Sequence, residues 1–199
     1  ASCDSLTKVQ LRAIESLGEG VFMGDSLLSA INLPNTLKEI GAYAFYDCAL
    51  TTATIPELVV EIKDYTFTNN SALETVQFKA SELTIGNKAF ANCSSLSETT
   101  ANGVITSIGE KAFYRNNLSA FTFKEGLTFI GADAFAYNTL TDIVLPSTLV
   151  HIGEQAFNEC NILKTVSMPD SVSYVGQYAF SKNTSDLTIT IRYNTGKIA

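Results

Sequence analysis

The sequence predicts an α/β repeat solenoid, and three periodic features predict it. Phenylalanine recurs at intervals of 22 or 23 residues, glycine stands four residues before all but one of these phenylalanines, and cysteine, asparagine or aspartate stands three residues after each. Self-similarity at a short fixed period is typical of a chain in which one small unit stacks on copies of itself. The periodic phenylalanines are Phe22, Phe45, Phe67, Phe90, Phe113, Phe135, Phe157 and Phe180.

Each unit contains a predicted strand. A leucine is followed by two apolar residues that alternate with polar ones, as in Leu140, Ile143 and Leu145, and this alternation is typical of a strand with one buried side. We expect strands of successive units to lie parallel, about 4.8 Å apart. Proline has no N–H group to continue a ladder, and it ends four of these strands, at Pro34, Pro56, Pro146 and Pro169.

A turn with the phenylalanine follows the strand. The column of glycines before it, of which Gly153 is one, indicates a tight turn or a close backbone approach. Lys63 is the exception in this column, and it predicts local strain. At 100° per residue the glycine, alanine, phenylalanine and cysteine or asparagine share one face, which predicts a short helical turn. Tyrosines on its opposite face are expected to be solvent-exposed, namely Tyr43, Tyr46, Tyr65, Tyr114, Tyr137 and Tyr178.

The whole of residues 1–199 is predicted to form one domain of about eight units plus a partial unit at the N-terminus. Residues 1–6 match residues 91–96 in register, so the chain begins inside a unit, and we expect it to be a fragment of a longer array. In the unit of Leu96, the strand positions hold only Thr99 and Ala101. Because solenoid stability is roughly a sum of nearest-neighbour terms, region 96–104 is expected to be the softest internal link.

The cysteines are predicted to be free thiols. All four occupy one column, three residues after the phenylalanine position, and no two lie in adjacent units. Two units are roughly 10 Å apart at the strand spacing, beyond the limit of about 7 Å between the Cα atoms of a disulfide. The column holds Cys3, Cys48, Cys93 and Cys160.

Composition and motifs indicate no enzyme. The net charge is −7, with 13 basic and 20 acidic residues, so binding to nucleic acid or an anionic membrane is not expected. His151 is the only histidine and the cysteines are widely spaced, which excludes multi-histidine and zinc-finger sites. Phosphate-binding and nucleophile motifs are absent. We therefore predict no catalytic residue, no metal, no cofactor and no membrane insertion by this chain.

One unit shows a resemblance to a known family. The pattern from Leu140 through Pro146, Ile152-Gly153 and Ala156-Phe157 to Cys160 resembles the BspA-like, or Treponema-pallidum-type, leucine-rich repeats, over essentially the whole chain. This resemblance implies a right-handed leucine-rich-repeat superhelix with its parallel sheet on the concave face and short helical turns or short strands on the convex side. It also implies a surface-exposed or secreted protein of a host-associated microbe, linked to attachment, with no catalytic residues.

Two surfaces are candidates for binding. The outward strand positions form a row of short polar side chains, which indicates a protein-binding floor; the alternative is simple β-propensity on a solvated face. Its proposed contact residues are Thr52, Thr54, Thr75, Gln77, Thr100, Thr122, Asp142, Thr165 and Ser167. The second candidate is an aromatic edge of Phe129, His151 and Tyr174 in adjacent units; the alternative there is mere cover of the solenoid flank.

Three functions stay open at this point. The first is a non-enzymatic adhesion module that contacts host matrix or microbial surface proteins, with glycan as a further type of partner. The second is a structural spacer, and the third is the targeting arm of a larger surface protein or hydrolase. The sequence does not indicate an oligomeric state.

Overall fold

The computed structural model describes residues 6–192, which form a parallel β-solenoid of eight coils. Seven coils have two strands on different sides, the coil of Phe135 has one, and a further strand follows the last coil. We call the first series of strands the long ladder. It contains β1 (Lys8–Gln10), β3 (Ala30–Asn32), β5 (Thr52–Ile55), β7 (Thr75–Phe78), β9 (Glu98–Ala101), β12 (Asp142–Val144), β14 (Thr165–Pro169) and β16 (Thr188–Arg192), numbered in chain order.

The second series is the short ladder. It contains β2 (Ser16–Leu17), β4 (Glu39–Ile40), β6 (Glu61–Ile62), β8 (Glu82–Ile85), β10 (Val104–Ile108), β11 (Phe129–Ile130), β13 (His151–Ile152) and β15 (Tyr174–Val175). All strand pairs are parallel, as predicted. The short ladder pairs as β2-β4 and as the six-stranded β6-β8-β10-β11-β13-β15, whereas the long ladder pairs as β1-β3, β5-β7-β9 and β12-β14-β16.

The segments that carry the periodic phenylalanines form the third side, which we call the turn edge. Within residues 6–192 no helix is present, so the helical turns and the α part of the predicted α/β class are wrong. The residues two before and two after each phenylalanine have left-handed φ values, such as 54° at Gln155 and 56° at Glu159. Left-handed residues four positions apart prevent a helix from forming in each of these segments. The right-handed winding and the concave curvature stay predictions.

The left-handed residues give the turn edge its own ladder of hydrogen bonds. The N–H groups of the phenylalanine and of the two left-handed residues that flank it point toward the following coil. Phe113 N–H, for example, donates to the Ala134 carbonyl at 2.8 Å, with parallel bonds from Lys111 and Arg115. Three such bonds cross each of the seven junctions between coils. A left-handed residue other than glycine costs about 1–2 kcal/mol, and the hydrogen bond that its N–H group donates to the next coil offsets part of this cost.

Phenylalanine rings form the centre of the core, as the sequence predicts. The eight periodic rings stack in one continuous column with centroid distances of 5.1–5.5 Å. Those from Phe45 to Phe157 are fully buried within a single cluster that runs along the solenoid. Phe129 is the one phenylalanine that faces outward, at 39% exposure.

The cysteine and asparagine column bonds one coil to the next. The Cys93 thiol donates to the Phe67 carbonyl at 3.2 Å, and Asn138 Nδ2 donates to the Phe113 carbonyl at 2.8 Å. Cys48 and Cys160 make the same contact. Both residue types can therefore occupy this column, since each supplies a donor to the carbonyl one coil back, as Asn70 and Asn183 also do. Asn116 is the exception, because its Nδ2 has no hydrogen-bond partner among the described residues. These three thiols are free, which confirms the prediction for them, whereas Cys3 lies outside the described residues.

Lys63 interrupts the close packing of the glycine column, and the strain predicted there stays a prediction. A Cβ atom built on Gly41 would lie 2.5 Å from the backbone nitrogen of Glu19 in the preceding coil. Lys63 carries a Cβ at the equivalent position, and neither β3 with β5 nor β4 with β6 forms a ladder pair. The glycine column is therefore what allows the short ladder to close.

A second interruption lies beside the region of thin core. β9 pairs with β7, but residues 119–123 form no strand and pair with neither β9 nor β12. At the two inward positions of the strand, one coil has the small side chains of Thr99 and Ala101, and the next coil has the rings of Phe121 and Phe123. Small and large residues in adjacent coils cannot fill one interior at a uniform strand spacing. The relative softness of 96–104 itself stays a prediction.

Candidate functional site

The outward face of the long ladder brings five of the nine proposed contact residues into one hollow. Strands β5, β7 and β9 place them in register, because Thr52 pairs with Thr75 and Thr54 with Gln77. The hollow has a volume of about 380 Å³ and is shallow. We call it the threonine patch, and its outward lining residues are Thr52, Thr54, Thr75, Gln77, Glu98 and Thr100.

The remaining proposed residues divide into two groups. Asp142, Thr165 and Ser167 lie together on β12 and β14, where Asp142 pairs with Thr165 and Val144 with Ser167. The Thr165 hydroxyl donates to Asp142 Oδ1 at 2.5 Å. This bond, with a second from Thr141, holds the pKa of Asp142 below its ordinary value. Thr122 is separate from both groups, in the unpaired segment 119–123.

The unpaired segment borders a hollow that the sequence reasoning did not predict. A cavity of about 220 Å³ opens between β9 and residues 121–124, and a second hollow beside it shares Thr99, Phe121 and Thr122. We call the two together the notch. The residues that line its first part are Phe78, Thr99, Thr100, Ala101, Ile105, Phe121, Thr122 and Lys124. The mismatch between Thr99-Ala101 and Phe121-Phe123 in adjacent units was the available signal.

The second candidate surface forms as predicted. Phe129, His151 and Tyr174 occupy one register of the short ladder, with centroid distances of 4.6 and 4.5 Å and interplanar angles of 15° and 10°. Stacking at this distance covers both faces of the His151 ring. The row therefore offers mainly ring edges to a partner.

The tyrosines of the turn edge are less exposed than predicted. Of the six, only Tyr178 is exposed; the others are half-buried because they pack on one another and on cations. The rings of Tyr43 and Tyr65 stack at 4.7 Å, and the Arg115 guanidinium lies 5.3 and 5.0 Å from the ring centres of Tyr114 and Tyr137. These tyrosines therefore pack on the outside of the turn edge and shield it partly from solvent.

Among residues 6–192, the three buried cysteines are the titratable groups whose pKa is shifted most. No three histidine, cysteine or acidic side chains of residues 6–192 lie close enough together to hold a metal ion. Burial raises the pKa of Cys48, Cys93 and Cys160 to about 12, so these thiols are neutral and poor nucleophiles at neutral pH. Within residues 6–192, no helix has the length and apolar character needed to cross a bilayer.

Fold and surface together define a class: a repeat solenoid that presents extended faces. The sequence profile of the BspA type leucine rich repeat region matches residues 1–118 and 106–199, with six copies. The chain therefore belongs to the BspA-type leucine-rich-repeat family. No curated protein matches it.

Three solved structures align with this chain to different extents. A leucine-rich repeat protein from Bacteroides ovatus ATCC 8483 aligns with a TM-score of 0.74 and 25% identity, over 96% of this chain and 55% of that one. The pneumococcal vaccine antigen PcpA aligns at 0.41 and 16%, over 98% and 58%. A leucine rich cell surface protein from Faecalibacterium prausnitzii A2-165 aligns at 0.34 and 17%, over 96% and 88%. The chain thus spans little more than half of the first two proteins.

Proposed function

We propose that this chain is a non-catalytic protein-binding module of a surface-exposed or secreted protein, and that it contacts host matrix or microbial proteins through the threonine patch. The observation that carries the proposal is the convergence of Thr52, Thr54, Thr75, Gln77 and Thr100 on one open hollow. The location at the cell surface rests on the family resemblance.

Side-chain chemistry favours a protein partner. Most outward side chains of the threonine patch are short and leave the strands accessible, and Thr54, Gln77 and Thr100 are solvent-exposed. Such a surface offers hydroxyl donors and acceptors at regular spacing, with little side-chain entropy to lose on binding. Glycans are bound largely by exposed aromatic faces, and in the row of Phe129, His151 and Tyr174 the stacking covers most of those faces. We therefore place protein ahead of glycan as the partner.

The test is attachment of the purified chain to immobilised matrix proteins, measured by biolayer interferometry. The double variant Thr54→Lys/Thr75→Lys places two charges of new sign on the threonine patch, next to Glu98. We expect at least a tenfold loss of binding, because each unmatched charge must be desolvated in the interface. The matched control is Ser71→Lys/Ser94→Lys, which adds the same two charges at exposed positions of the turn edge.

Two outcomes would contradict the proposal. Binding that Thr54→Lys/Thr75→Lys leaves unchanged would remove the threonine patch as the contact surface. Absence of saturable binding to any matrix or microbial surface protein would favour the alternative of a spacer, or of the targeting arm of a larger protein.

A further inference from the structure

The notch lies where the long ladder is open on both sides. In every other coil the strand of the long ladder pairs with at least one neighbour, whereas residues 119–123 pair with none. Their backbone N–H and C=O groups make no hydrogen bond to another residue within the described range 6–192. An unpaired strand edge is the element to which proteins add an extended peptide of a partner.

The notch also has an apolar floor. Phe121 packs on the core rings of Phe113 and Phe135, at 5.3 and 4.9 Å, yet remains half-exposed toward the cavity. Ala101, with Phe78 below it, forms the opposite wall. The volume of about 220 Å³ accommodates one aliphatic side chain of leucine size. Lys124 closes the far end, where its Nζ donates to the carbonyls of Ala101 and Asn102 at 2.7 and 3.2 Å.

The charged residues at the outward positions beside the notch are acidic. Among the outward positions of the long ladder from β3 to β14, only Glu98 and Asp142 are charged. They flank Ala120 at the equivalent positions of the two adjacent coils. The two carboxylates therefore lie two strand spacings apart, on the order of 10 Å. Between them lies only the methyl group of Ala120. Both are exposed, and the Thr165 hydroxyl helps to keep Asp142 ionised. The positive charge of Lys164 also lowers the pKa of Asp142.

We propose that the notch binds an extended peptide segment of the partner protein in which a basic residue and an aliphatic residue are separated by one residue. The basic side chain lies over Ala120 between Glu98 and Asp142, and the aliphatic side chain fills the cavity beside Phe121. Residues two apart in a strand point to the same side and are about 6.7 Å apart, which matches the step from position 120 to position 122 beneath them. This inference rests on the proposed function, because it takes the partner to be a protein.

The test uses fluorescein-labelled peptides of about ten residues, Thr and Ser throughout except at two central positions. One peptide carries Lys and Leu separated by one residue, a second replaces Lys with Glu, and a third replaces Leu with Ala. Fluorescence anisotropy is expected to show saturable micromolar binding of the first. Binding should fall about ten- to a hundredfold without the leucine, and about tenfold or more with Glu.

Matched protein variants locate the site. Glu98→Lys/Asp142→Lys should reverse the preference between the Lys and Glu peptides, and Ala101→Leu should abolish binding because it fills the cavity. The control Glu57→Lys/Asp186→Lys makes the same change of charge at exposed positions elsewhere and should leave binding unchanged. Amide resonances of 119–123 should shift on titration with the first peptide.

The outcomes separate this inference from the broader proposal. Equal binding of the Lys and Glu peptides, or binding that Ala101→Leu leaves intact, would overturn the notch as a peptide site. If attachment to matrix protein then still depends on Thr54 and Thr75, the proposed function stands without the notch. If attachment fails for every protein partner while the Lys–Leu peptide binds as described, the notch stands and the matrix proposal falls.

Discussion

The turn edge and the long ladder are made by the same eight coils, yet only the turn edge is continuous. Three backbone hydrogen bonds and one ring stack cross each of its seven junctions. The long ladder is divided into three separate sheets. The difference shows that the periodic Ala-Phe segment holds the coils together, whereas the strands of the long ladder can vary and part without loss of the fold.

The side chains vary little from coil to coil on the turn edge and more on the long ladder, and packing explains the difference. On the turn edge, alanine precedes six of the eight periodic phenylalanines and is buried in each case, as at Ala89, Ala112 and Ala134, so little space remains there for a larger side chain. On the long ladder the inward column runs from Thr99 to Phe121 within one step. A surface that tolerates such changes can acquire contact residues, and the proposed binding sites lie there.

The largest effect is expected from removing a ring of the turn edge. Phe67→Ala takes a fully buried ring out of the stack between Phe45 and Phe90, and we expect a loss of about 3–5 kcal/mol in the free energy of unfolding. Phe121→Ala, on the broken ladder, removes a half-buried ring and should cost about half as much. Urea denaturation measures both; equal losses would contradict the comparison.

A smaller effect is expected at the glycine column, which has its own internal control. A Cβ atom on Gly153 would lie 2.4 Å from the backbone nitrogen of Ala132, whereas one on Gly18 would meet nothing within 4 Å. Gly153→Ala should therefore destabilise the chain by about 1–3 kcal/mol through overpacking, and Gly18→Ala should stay within about 0.5 kcal/mol. Similar unfolding midpoints for the two variants would show that the column does not set the coil spacing.

The smallest effect near neutral pH concerns the thiols that the turn edge covers, because their ionisation affects stability only at high pH. Burial raises the pKa of Cys93 from 9.0 to about 12, and Cys48 and Cys160 behave alike. As the pH rises above 9, the unfolded chain releases these protons before the folded chain does. The stabilisation is complete below pH 9 and is lost as the pH rises toward 12.

Iodoacetamide labelling at pH 8 followed by mass spectrometry checks the cover over these thiols. Cys48, Cys93 and Cys160 should stay unmodified in the folded protein and react fully in urea. Rapid labelling of Cys93 without denaturant would mean that the turn edge opens readily.

The sequence predicts much of this architecture because the residues that are buried in each coil recur at a fixed interval along the chain. The columns of phenylalanine, glycine and cysteine or asparagine predicted the stacked coils, the parallel strands and the free thiols. The left-handed residues could not be predicted, because positions such as Tyr43, Lys88 and Gln155 hold side chains that rarely adopt positive φ. Their conformation is imposed by hydrogen bonds to the next coil.

The candidate site was predictable only in part. Alternation along each strand identified the outward residues, and the register of the strands brought five of them together. The notch depends on how Thr99 and Ala101 pack against Phe121 and Phe123 across two coils. A pattern read one unit at a time does not contain that mismatch.

Native-state hydrogen exchange of the free chain tests the central claim most directly. The amides of Phe90, Phe113 and Phe135 donate across junctions of the turn edge, and we expect them to exchange only through global unfolding. The amides of residues 119–123 should exchange orders of magnitude faster. Protection of 119–123 equal to that of Phe113 would contradict a continuous turn edge beside an open long ladder.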